Sequence, residues 1–262
     1  MILVAGGTGR LGRLVVAGLT ALGEPVRILT RDVSTAVALR GPLVDVVRGD
    51  VRDPATLPPA MAGARTVVSA IQGFAGPGGV TPETVDRDGN ANLVAAAKAE
   101  GSDMVLVSVV GASAGSAMAL FRMKAAAEDN LVGSGVPWTI VRASGFLELY
   151  LDLMRRTAGK TGRPLVFGRG QNPINFARVS DVADAVVRAA ADPVRNHRSG
   201  TNDGSGPGHR SGPDHTATTH TSSSEGHITP LLPWPPTRRP RRLLLLAQPR
   251  LPRATPGWGS GH

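Results

Sequence analysis

The sequence predicts an α/β fold: a parallel sheet, doubly wound with helices on both faces, within one domain. Three observations predict it. Short, nearly continuous Val/Ile/Leu runs recur through the first 198 residues, as expected of strands buried on both faces. Helix-period segments separate those runs, and such alternation means βαβ units. A glycine cluster, Gly6-Gly7-Thr8-Gly9-Arg10-Leu11-Gly12, sits between the first run and the first helical pattern.

Taken in order, strands are expected over residues 1–5, 26–30, 44–48, 65–70, 104–109 and 138–142. Each is bounded by Gly, Pro or polar residues. Residues 164–167 offer a short seventh. Helices are expected over 10–22, 35–40, 80–100, 117–133, 146–158 and 179–191, the last with Asp181 near its start. The helix at 146–158 carries Phe146, Leu149 and Leu153 as a stripe at helical spacing, which reads as a face packed on the sheet.

Near Arg198 the chain changes character. Residues 1–198 hold 22 Lys/Arg against 17 Asp/Glu, whereas residues 199–262 hold 7 against 3 and carry five of the six histidines. The second segment is rich in Gly, Pro, Ser and Thr, and proline interrupts it every few residues after 230. Leu243–Leu246 is its sole apolar block. The domain is therefore assigned to 1–198, and 199–262 to a disordered tail. The change falls where another strand is expected, which motivates a hypothesis: the tail is translated out of frame. Resequencing the gene tests it, and a clean in-frame reading through codon 198 ends it.

Composition excludes several chemistries. The 262 residues include no cysteine, so disulfides, thiolate metal sites and cysteine nucleophiles are absent. No metal site is expected: His209, His215, His220 and His227 are irregularly spaced in a flexible segment. No apolar run approaches membrane-spanning length. The chain opens directly into Ile2-Leu3-Val4 with no secretory pattern, so the cytoplasm is expected. The net charge of +9 and the basic stretch Arg238-Arg239-Pro240-Arg241-Arg242 lack a stacking platform or reading helix, so no specific nucleic-acid contact is expected. Gly111-Ala112-Ser113-Ala114-Gly115 matches a hydrolase nucleophile elbow, but no acid and histidine follow in suitable places.

The glycine cluster carries the chemistry. It satisfies G-x-G-x-x-G from Gly7. Glycines allow a tight turn and a close backbone approach to a pyrophosphate, and the helix N-terminus presents free N–H groups to the anion. Gly6, Thr8, Gly9, Arg10, Leu11 and Gly12 are thus candidate dinucleotide contacts. At the end of the second strand, Arg31 would accept a 2′-phosphate, which favours NADP. Asp32, 20 residues beyond Gly12, argues for NAD, so NAD stays open. Asp50 and Val51, after the third strand, are placed to meet the adenine.

These residues resemble a known family. The cluster at 6–12, Arg31, the stretch Gly49-Asp50-Val51-Arg52-Asp53, Val107-Ser108-Val109-Val110-Gly111, Phe121-Arg122-Met123-Lys124 with Glu128, Val141-Arg142-Ala143-Ser144-Gly145-Phe146, and residues 175–183 are together similar to the atypical short-chain dehydrogenase/reductase family. Within it, the NmrA-like NAD(P)-binding proteins and the NAD(P)H:quinone-reductase-like members are most similar. The resemblance covers about residues 1–196. It implies a Rossmann-type fold, with Ser69, Ala70, Ile71 and Gln72 lining the cofactor near its ribose and nicotinamide. It further implies that Ser108 faces the substrate and that Lys124 binds the nicotinamide ribose.

One departure bears on function. Members with dehydrogenase chemistry carry a tyrosine four residues before this lysine as the acid–base group. Here that position is Leu120, and the only tyrosine is Tyr150, on the later helix. Tyr150 joins Lys124 and Ser108 as a catalytic candidate. Two functions are expected. One is NAD(P)H-dependent reduction of a small-molecule electrophile such as a quinone, in which water supplies protons. The other is a non-catalytic NAD(P) sensor acting through a protein partner.

Overall fold

A computed structural model describes residues 1–74, 78–159, 162–164, 175–191 and, for the backbone, 241–246. Its main sheet is parallel. The strands are β1 (Ile2–Ala5), β2 (Val26–Thr30), β3 (Val44–Arg48), β4 (Thr66–Ser69), β5 (Asp103–Val109) and β6 (Trp138–Ala143). Their spatial order is β3-β2-β1-β4-β5-β6, followed by one further strand. This is the Rossmann arrangement. The chain runs outward from β1 to β3 and then crosses back to β4. Ala5 of β1 therefore lies between Leu29 of β2 and Ser69 of β4, and the crevice opens where the strand order reverses.

The strands form because both faces are covered, and their side chains alternate between two cores. Ile2, Val4, Val26, Ile28, Val105 and Val141 pack with helices α1 (Arg10–Ala21) and α6 (Val179–Ala191). Leu3, Ala5, Leu29, Val67, Met104, Leu106 and Ile140 pack on the other face. There the cover is α2 (Pro58–Met61), α3 (Asn90–Glu100) and α4 (Ala119–Gly133). The helix expected at 80–100 is split: Pro82–Gly89 is π-helical and continues into α3. A capping box between Thr81 and Thr84 starts it. The helix expected at 35–40 is a 3-10 helix, Val33–Leu39, capped by Asp32. No helix among the described residues is long and apolar enough to cross a membrane.

Three findings differ from the sequence reading. Helix α5 (Leu147–Ala158) buries no residue, and Leu149 and Leu153 are 55% and 43% exposed. Of the stripe expected to pack on the sheet, only Phe146 meets the core; Leu149 stands at the cleft and Leu153 is exposed, because α1 and α6 already cover that face. A two-stranded parallel pair, β7 (Gly145–Phe146) with β8 (Phe176–Ala177), holds the start of α5 beside the sheet. In the segment left without elements, Arg241–Leu246 forms β9 and pairs in parallel with β6 from Trp138 to Ala143. An open sheet edge is a template for any extended apolar run, and the leucine block is the run in that segment. The seventh strand considered at 164–167 lies largely outside the described residues.

α1 and α6 meet at a glycine. A Cβ added at Gly18 would lie 2.8 Å from Val187 Cγ2. We therefore expect Gly18→Ala to force Val187 aside and to destabilise the domain by about 1–3 kcal/mol, the usual range for overpacking. Urea unfolding followed by circular dichroism measures this directly.

Candidate functional site: a cleft at the strand reversal

A cleft of about 650 Å3 opens at the carboxyl ends of β1, β2, β4, β5 and β6. This volume is typical of a site for a small molecule or cofactor. Its floor is the glycine turn. Gly6 has φ +84°, in the left-handed region where L side chains are strained. The turn closes through Gly9 N–H donating to the Gly6 carbonyl at 3.0 Å. A Cβ at Gly6 would stand 2.6 Å from the Ala70 carbonyl oxygen, and one at Gly12 only 2.1 Å from the Gly6 carbonyl oxygen. A side chain at either place forces the surrounding backbone to shift. Gly9 is the N-cap of α1, which has no side-chain cap and no acidic residue in its first turn. Its first N–H groups thus stay free for an anion. Arg13 braces the loop by donating to the carbonyls of Thr8 at 2.8 Å and Thr35 at 3.1 Å.

Thr8, Leu11 and Arg31 line the cleft with these glycines. Asp32 does not compete there. Its carboxylate accepts from Ser34 N–H at 2.9 Å, and hydrogen bonding from the Ser34 side chain, then from its backbone N–H, holds the pKa below the usual carboxylate value. Arg10 lines the cleft and pairs with Asp152 of α5, whose carboxyl it holds below the ordinary range. Asp50 and Val51 form the adjoining wall. The Asp50 carboxylate is gripped by Arg52, which depresses its pKa, and Arg52 also donates to the carbonyl of Gly78.

Ala70, Ile71 and Gln72 line the next section, but Ser69 does not. Ser69 is fully buried, and its hydroxyl donates to Asn90 Oδ1 at 2.6 Å. It points to the α3 side, into the core where its in-register neighbour Ala5 also packs. Lys124 lines the cleft, but its ammonium is held by the protein: it donates to the carbonyls of Ile71 at 3.0 Å and Val107 at 3.1 Å. It also stands 2.9 Å from Asp86 Oδ1. That contact is an ion pair without an aligned hydrogen bond. Asp86 Oδ2 accepts from Gly73 N–H at 2.7 Å. The pair is deeply buried, Lys124 at 4% exposure and Asp86 at 0%. Asp86 escaped the sequence reading. The signal was its place with Asn90, Leu93 and Ala97 on one buried face, where a carboxylate needs a partner.

Ser108, one residue before the end of β5, stands at the cleft wall, 2% exposed. Leu120 and Phe121 of α4 line the same region. Tyr150 does not reach it: its ring stacks on Phe176 with centroids 5.0 Å apart. Being on α5, outside the cores, it takes the β8 aromatic as its neighbour. The Ser113 motif lies in turn structure, and the next helix starts only at Ala119.

The glycine cradle fits a dinucleotide pyrophosphate on its own geometry, since the close backbone contacts at Gly6 and Gly12 set the uncapped N-terminus of α1 at the floor of the cleft. Breaking the Lys124–Asp86 pair leaves one buried charge uncompensated. We expect Lys124→Met to cost about 3–5 kcal/mol of stability. Adding Asp86→Asn to it should recover part of that loss, and thermal unfolding of the three proteins measures both effects.

Comparison with known proteins agrees with this geometry. The family described as NAD(P)H-binding matches residues 6–193. An NAD(P)H azoreductase of Xenophilus azovorans is 31% identical over 198 residues, covering 74% of this chain and 64% of that protein. The photosystem II assembly factor Ycf39 of Synechocystis sp. is 30% identical over 72% of this chain and 57% of its own length. Among solved structures, an NADPH-dependent quinone oxidoreductase of Escherichia coli complexed with NADPH superposes with a TM-score of 0.62 at 25% identity, covering 73% of this chain and 65% of that one. The chain thus spans less than two thirds of these relatives. Cradle, strand order and sequence match together establish that the chain belongs to the NAD(P)H-binding family, with relatives of the atypical short-chain dehydrogenase/reductase kind.

Proposed function

We propose that this chain is an NADPH-dependent reductase of a small conjugated electrophile, a quinone being the nearest choice. The observation that carries the reading is a cradle for a dinucleotide running into a reaction end that has Ser108 and Lys124 but Leu120 where an acid–base tyrosine would stand. When bound, the reduced nicotinamide supplies a hydride. The chain then has to bind, orient and exclude water. Gly6, Gly12 and the α1 N-terminus hold the pyrophosphate. Arg31 favours the 2′-phosphate, and Asp32, engaged in its helix cap, leaves that corner to the guanidinium. Lys124 acts through position: it ties the ends of β4 and β5 together under the nicotinamide end. Phe74, Leu120, Phe121 and Leu149 give that end an apolar rim suited to a flat ring. A quinone needs no proton from the protein during hydride transfer, so Leu120 is compatible with turnover. The relatives named as azoreductase and quinone oxidoreductase favour the same class of acceptor.

A second reading is a non-catalytic NAD(P) sensor that acts through a protein partner. Leu120 and the full engagement of Lys124 favour it, as does the relative named as an assembly factor.

NADPH oxidation against a quinone panel separates the two. Turnover above the uncatalysed rate supports the reductase, and tight NADPH binding without turnover supports the sensor. Arg31→Ala should weaken NADPH by about 1.5–3 kcal/mol, the worth of hydrogen bonds to a charged group, and leave NADH nearly unchanged; fluorescence titration with both coenzymes reads the difference. Leu120→Tyr should confer carbonyl reduction, observed as NADPH-dependent consumption of a simple ketone.

A further inference from the structure

Two buried hydroxyls at the reaction end have no hydrogen-bond partner among the described residues: Ser108 Oγ and Ser144 Oγ. Both residues line the cleft. Ser108 is the penultimate residue of β5, in register with Arg142, and Ser144 directly follows β6, where Val110 N–H donates to the Ala143 carbonyl at 2.9 Å. Strand alternation puts them on one face of the sheet. It is the face of Arg142, which pairs with Glu128 of α4, and therefore the face of Lys124 and Leu120. An unpaired buried hydroxyl is costly, and native proteins rarely keep one without a use. Among the described residues neither serine has a hydrogen bond to give up, so turning the hydroxyl to a ligand needs only a change between staggered rotamers.

We propose that Ser144 is a specificity-determining residue, the second of two hydroxyl donors that, with Ser108, hold the oxygen of a quinone-type acceptor on which negative charge develops. The proposal rests on the reductase reading and deepens it by naming the acceptor atom. The step balances. The dihydronicotinamide C–H bond breaks, its two electrons and hydrogen pass to the quinone, and the coenzyme is oxidised. The quinone becomes the hydroquinone monoanion, whose oxygen accepts from both serines until water protonates it. Two hydroxyl donors at the acceptor oxygen stand in for the acid that Leu120 cannot be. An acceptor whose charge develops on carbon gains nothing from them, so the site selects carbonyl-type electrophiles.

The test compares the full chain with Ser144→Ala, Ser108→Ala and the double variant. With 1,4-benzoquinone and NADPH, kcat/KM should fall on the order of 100-fold in each single variant, the scale of losing one oxyanion donor. The double variant should lose little more, since the pair acts as a unit. The NADPH affinity and unliganded melting temperature of Ser144→Ala should match the parent, because the hydroxyl has no partner to lose among the described residues. Unchanged quinone turnover in Ser144→Ala overturns the proposal. So does a matching loss of NADPH affinity, which would assign the hydroxyl to the nicotinamide carboxamide. If the parent itself turns over no quinone, the reductase reading fails. Absorbance titration of p-nitrophenolate into the protein loaded with oxidised coenzyme then decides the hydroxyl's role separately. Weaker binding by Ser144→Ala supports the oxygen site, and equal binding overturns it.

Discussion

The backbone contact among Gly6, Gly12 and Ala70 is the constraint on which the site depends. Three segments from different parts of the fold converge there: the end of β1, the start of α1 and the exit of β4. The space between them is smaller than a methyl group, with prospective Cβ positions 2.1 Å and 2.6 Å from carbonyl oxygens. That closeness brings the amide end of α1 to the line where the strand order reverses. Arg10, Arg31, Asp50 and Ser108 reach one cleft because the elements carrying them all end at this line.

A second interaction organises the far end. The Lys124–Asp86 pair, buried beneath the cleft, links α4, the π-helical segment and the exits of β4 and β5. A buried ion pair is not by itself a strong source of stability, because desolvation offsets much of the attraction. Its contribution here is geometric: Gly73 N–H and the carbonyls of Ile71 and Val107 are fixed relative to one another. The lysine expected to hold a ribose is thus first an internal strut. With Leu120 beside it, the reaction end has little proton chemistry of its own. What it retains are hydroxyl donors and apolar walls.

The fold was largely legible because strands buried on both faces announce themselves as unbroken apolar runs. β1 to β6 fall within a residue or two of their expected bounds. The glycine turn was legible for a related reason, since its chemistry is written in consecutive residues. What the sequence could not convey was direction. Ser69 and Ser108 both sit at strand ends, yet one turns inward to Asn90 and the other meets the cleft. Tyr150, Leu149 and Leu153 read as candidates for pocket or core, but their helix lies outside both cores: Tyr150 packs on Phe176, Asp152 pairs with Arg10, and of the three only Leu149 borders the cleft. Asp86 and Ser144 were missed because each matters through a partner distant in sequence or through having none. β9 was missed because a leucine block among prolines becomes a strand only once β6 offers it an edge.

The central claim is that the glycine cradle binds a nicotinamide dinucleotide by close backbone approach. Isothermal titration calorimetry of the folded protein with NADPH tests it most directly, run beside Gly12→Ala. The expected result is saturable heat at one site per chain, lost in the variant while its circular dichroism remains native. A folded parent that gives no heat with NADPH or NADH, or a Gly12→Ala protein that binds as tightly as the parent, would contradict it.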